Sequence, residues 1–68
     1  MIFIKAVVIG WEAVPGSTKY EILRDNAVVA STRTALETKI SVQDQKDHEW
    51  AIRAQPSGNV QRVTADWV

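Results

Sequence analysis

The sequence contains no cysteine. That excludes a disulfide framework, a thiolate nucleophile and every zinc site built on cysteine. It holds a single histidine, His48, too few for a histidine-rich metal centre. Net charge is missing as well, because eight Lys and Arg cancel eight Asp and Glu. A nucleic-acid binder draws its affinity from a surplus of basic residues near phosphates, so this balance argues against nucleic acid as a partner. Only three glycines occur, Gly10, Gly16 and Gly58, and they build no phosphate-cradling loop. Ser17 lacks the Gly-x-Ser-x-Gly surroundings of an exposed nucleophile. Long apolar runs are lacking too. Lys5 splits Met1–Ile4 from Ala6–Ile9, and no basic region precedes them. Neither a secretory signal nor a membrane span of about 20 apolar residues can be built from that pattern. The chain therefore reads as non-enzymatic, without cofactor or metal, and with no membrane partner.

What is present suits one small domain covering residues 1–68. The 68 residues fall below the usual domain size of about 100–150, and the 46% hydrophobic content is that of a globular chain. A domain this short buries only about 60% of the surface that its unfolded chain exposes. Small domains often add a disulfide, a metal or a partner surface. Composition leaves the third route, another copy or a larger assembly.

The apolar residues recur with the period of two that strands require. Val7, Ile9 and Trp11 share one face of the first segment, with Gly10 and Glu12 opposite. Pro15-Gly16 then fits the centre of a type II turn. Lys19–Arg24 follows, with Tyr20 and Ile22 inward and Leu23 outward by phase, either an isolated surface leucine, the default, or part of a contact patch. Asp25-Asn26 tolerates left-handed backbone and predicts a hairpin into Val28–Ser31. Thr38–Val42 alternates again, and so does His48–Gln55, with His48, Trp50, Ile52 and Ala54 on one face. Pro56–Asn59 is a turn, and Val63, Ala65 and Trp67 form the inward face of a last strand. A helix over Ala27–Glu37 is rejected because no apolar spacing of three or four recurs there. Six short strands without a helix predict an all-β fold, either a two-sheet antiparallel sandwich or a small barrel.

Three pieces of this pattern resemble the fibronectin type III family. Ile9-Gly10-Trp11-Glu12 is similar to its tryptophan-bearing B strand, with a Pro-Gly turn after it. Tyr20–Asp25 resembles its C strand leading into the C–C′ turn, and Trp50–Ala54 its F strand. The resemblance covers about residues 7 to 68 and implies a seven-stranded sandwich. Here the opening A strand is missing or reduced, since only Met1–Lys5 precede the B-like segment. His48 aligns with the family's corner tyrosine, whose hydroxyl ties the E–F loop to the sandwich. Loss of strand A leaves the border of strand B unpaired, a template for strand addition or hydrophobic docking by a partner protein. Ile2, Phe3 and Ile4 adjoin that border and are assigned to the partner contact.

Trp11 and Trp50 lie on inward faces and are assigned to the core rather than to a sugar-stacking platform. Trp67 is inward by phase yet one residue from the end, so it is either core or an interface anchor of the kind in which tryptophan is enriched. His48 with Asp44, Asp47 and Glu49 can be drawn as a metal or acid–base cluster. The acids occupy a turn and Glu49 points away, so a solvated turn with a hydrogen-bonded corner histidine is the preferred reading. With a Met start, a close soon after the last strand and no export signal, the chain is expected to be a free-standing cytoplasmic product. Free-standing modules that resemble it occur as decoration or tail accessory parts of bacteriophages, and the resemblance implies such a virion-associated role. The alternative is a binding module from a larger secreted adhesin or carbohydrate-active enzyme.

Overall fold

Local turn chemistry sets the first half of the chain. The computed structural model describes residues 5–44 and 46–68. Strand β1 (Lys5–Gly10) leads to a turn in which Ser17 N–H donates to the Val14 carbonyl at 3.1 Å. Gly16 sits at the third position with φ 80°, the conformation that a type II turn demands there. Strands β2 (Lys19–Arg24) and β3 (Ala27–Thr32) close a two-residue hairpin. Asp25 (φ 50°) and Asn26 (φ 69°) are both left-handed, as the right-handed twist of a type I′ hairpin requires. Val29 is an extra residue in β3, since Ile22 faces Ala30 while Leu23 faces Val28.

Strand β4 (Glu37–Val42) pairs antiparallel with β1 along its whole length, from Lys5 opposite Val42 to Gly10 opposite Glu37. Strand β5 (Trp50–Gln55) pairs with β2, and β6 (Val60–Val63) returns beside β5 after a turn containing the cis Gln55–Pro56 bond. Strand β7 (Ala65–Trp67) pairs with Val7–Ile9 of β1. The result is an all-β sandwich of a three-stranded sheet, β4-β1-β7, and a four-stranded sheet, β3-β2-β5-β6. No helix occurs among the described residues.

The inner faces meet in a core centred on Ile9, Ile22, Val42 and Ile52, each essentially inaccessible, with Trp11, Tyr20 and Trp50 packed around them. Trp11 and Tyr20 stack at 5.8 Å with a tilt of 55°. The Tyr20 hydroxyl accepts from Val14 N–H at 2.9 Å, pinning the β1–β2 loop against the sandwich.

Three expectations change. The described residues form seven strands rather than six, because Val60–Trp67 is split at Thr64 and shared between the two sheets. The alternation conceals that switch: Val63 of one sheet and Ala65 of the other both turn toward the common core. The border of the first strand is not open, because β7 pairs with β1 on the side away from β4. Finally, Leu23 is buried, at 5% exposure, although it lies outside the main core cluster. It sits mid-sheet on the outer face between Val28 and Ala51, with the bonded pair Glu21–Arg53 as same-face neighbours. A central strand flanked on both sides covers an outward leucine in a way that phase alone does not reveal.

Candidate functional site

Two neighbouring features occupy one end of the sandwich. The first is built on His48, in the loop before β5, whose side chain retains only 12% of its exposure. Its Nδ1 lies 2.7 Å from Asp25 Oδ2, in the β2–β3 turn. Its Nε2 lies 3.0 Å from Asp44 Oδ1, near the start of the β4–β5 connection. Ionised carboxylates only accept hydrogen bonds, so both contacts are satisfied together only when both ring nitrogens donate, in the imidazolium form. Asp44 first and Asp25 second hold the His48 pKa above its ordinary value. The Asp25 carboxyl is held below the usual carboxylate range, first by Glu49 N–H (2.9 Å) and then by His48. Asp44 is lowered first by His48 and then by Lys46 N–H.

This arrangement is a strut. It joins a hairpin turn of one sheet to the connection arriving from the other, with the imidazole edge-on to Trp50 at 6.1 Å and 81°. The drawn cluster is only partly brought together. Asp44 joins His48, Asp25 enters unforeseen, and Asp47 and Glu49 turn elsewhere, Glu49 facing Arg62 at 3.7 Å on the surface. The corner histidine does tie the β4–β5 connection down, but through carboxylates rather than to a backbone group. Asp25 was missed because its turn role explains the residue fully, and its distance of 23 positions from His48 leaves no local signal.

The second feature is Trp67, on the short border strand β7 and 40% exposed. Its indole Nε1–H donates to Asp47 Oδ1 at 3.3 Å, and Lys5 Nζ lies 5.7 Å from the ring centroid, within cation–π range. The ring is therefore held from two sides while part of it stays in water. Beside it opens a cleft of about 290 Å³, walled by Val7, Trp50, Val63 and Ala65 with Asp47 and His48 at its polar margin. It is the mouth of the sandwich where the chain crosses between sheets. Trp11 and Trp50, by contrast, are buried in the core. Ile2, Phe3 and Ile4, assigned to a partner contact, lie outside the described residues.

Fold and site together define a small two-sheet β-sandwich with a fixed, half-exposed tryptophan at the mouth of its core. No family model, no curated protein and no solved structure matches this chain.

Proposed function

We propose that this protein is a non-enzymatic interaction module that docks on a larger protein assembly through the Trp67 corner. One observation carries the reading: Trp67 is 40% exposed and yet positioned, by Asp47 on its nitrogen and Lys5 on its face. Large aromatic side chains that are fixed before binding make effective anchors, since little conformational freedom remains to be lost on contact. The adjoining cleft of about 290 Å³ has room for one bulky apolar side chain from the partner. The apolar residues Ile2, Phe3 and Ile4, assigned to the partner contact from sequence, lie outside the described residues.

The assembly proposed is a bacteriophage particle, with the module as a head-decoration or tail accessory protein made in the host cytoplasm. This setting rests on the resemblance to fibronectin type III modules. Strand order supports that resemblance. In the immunoglobulin-like arrangement B and E share one sheet while C, F and G share the other, as β1 and β4, and β2, β5 and β6, do here. Strand β7 stands where an A strand would pair with B.

A second reading, a carbohydrate-binding module of a larger secreted protein, draws on the partly exposed indole beside the Asp47 carboxylate. Quantitative mass spectrometry of purified phage particles separates the two. The docking reading expects this chain in the particle at a fixed stoichiometry with a major head or tail protein. Its absence from particles, together with Trp67 fluorescence that titrates with oligosaccharide, contradicts the virion reading in favour of the second.

A further inference from the structure

Among the described residues four strands border the sheets: β4 and β7 in one, β3 and β6 in the other. Borders that must stay single carry charge, are very short, are bulged or are covered. Glu37 and Lys39 stand in β4, Arg62 in the four-residue β6, and Asp66 in the three-residue β7. Strand β3 has only its bulge at Val29. Its six residues, Ala27-Val28-Val29-Ala30-Ser31-Thr32, include no charge, no proline and no glycine. It pairs only with β2, so one side of its backbone offers free N–H and C=O groups. Val28 and Val29 are 46% and 36% exposed.

We propose that β3 is a dimerisation edge, at which a second copy of this chain adds its own β3 antiparallel about a twofold axis near Val29. One feature selects a second copy over a foreign strand. Opposite charges flank the strand, Asp25 before it and Arg33 just after it, both exposed. Antiparallel doubling places Asp25 of each copy at the Arg33 end of the other. The Asp25 carboxylate, though bonded to His48 and to Glu49 N–H, keeps acceptor capacity and 56% of its exposure. The contact is isologous and closed, so it yields dimers rather than fibres. The two four-stranded sheets become one of eight strands. The Trp67 corner stays free, because β3 lies at the border opposite β6, the strand that runs into β7.

Sedimentation velocity on the purified chain tests this, with far-UV circular dichroism as the control for folding. The wild-type chain sediments as a concentration-dependent dimer. Val28→Lys, a change at an exposed site, weakens dimerisation by at least about tenfold, equivalent to roughly 1.4 kcal/mol, while the β signal is kept. Because the chain has no cysteine, Val29→Cys supplies an independent readout should the lysine variant unfold. Under mild oxidation it forms a disulfide-linked dimer, and Lys39→Cys on β4 does not. A wild-type chain that stays monomeric at every concentration overturns the proposal. So does a dimer indifferent to Val28→Lys, or equal cross-linking at the two cysteine positions. Trp67→Ala, which targets the proposed docking corner, leaves the dimer intact, so failure of either proposal is visible separately.

Discussion

His48 shows how a residue that looks like chemistry works as structure. Its raised pKa means that the protonated form is favoured by folding, through Asp44 and Asp25. That contribution is complete below the unfolded imidazole value of about 6.5 and is lost as pH rises through the raised folded value. The depressed carboxyls of Asp25 and Asp44 act in the other direction. Their contribution is present above the unfolded carboxyl value of about 3.9 and is lost as pH falls through the depressed folded values. Melting temperature is therefore expected to be highest between about pH 4 and 6.5 and to decline on both sides. His48→Gln removes the alkaline decline. Thermal melts across pH check this, and a wild-type profile that is flat from neutral into the alkaline range contradicts it.

Tyr20 makes the parallel point for a hydroxyl. Tyr20→Phe leaves Val14 N–H without its acceptor and is expected to cost about 1–3 kcal/mol in denaturant unfolding. Its inward position was legible from alternation. The bond to a backbone group six residues upstream was not, since nothing in local sequence separates it from ordinary core packing.

Elements were most legible where glycine, proline and short polar residues fix the backbone. Pro15-Gly16 and Asp25-Asn26 specify their turns, and β2 runs over the predicted Lys19–Arg24. Gly16→Ala is expected to cost about 1–2 kcal/mol, since φ is 80° there. An added Cβ meets nothing within 4 Å, so the penalty is one of backbone conformation alone. For a domain of this size that lowers Tm by roughly 5–15 °C. A calorimetric Tm equal to wild type contradicts the turn assignment. The element least legible was the last one. Alternation reports which side faces the core, and β6 and β7 face the same core from opposite sheets, so the phase of Val63, Ala65 and Trp67 passes unbroken through the crossover at Thr64. The consequence reached function: the border expected to receive a partner strand is filled by the chain itself, and a tryptophan is carried to the rim.

For the whole molecule, core and contact surface are separable. A 68-residue domain has about 3–10 kcal/mol of total stability at 0.05–0.15 kcal/mol per residue. Ile52→Ala, at a fully buried site, removes about 2–5 kcal/mol of it. Trp67→Ala is expected to cost less, because its ring is partly solvated already. Urea unfolding of the two variants ranks them, and a Trp67→Ala loss equal to that of Ile52→Ala makes Trp67 a core residue instead of an anchor. The sandwich was readable because period-two alternation and turn residues agree along most of the chain. Site residues scattered over a turn, a connection and the last strand were readable only one at a time.

The most direct measurement is hydrogen exchange on the chain bound to the proposed assembly, compared with the free chain. Docking through the Trp67 corner predicts new protection at Ala65–Val68 and at the start of β1, with β2 and β5 unchanged. Protection confined to other borders, or none at Ala65–Val68, contradicts the account.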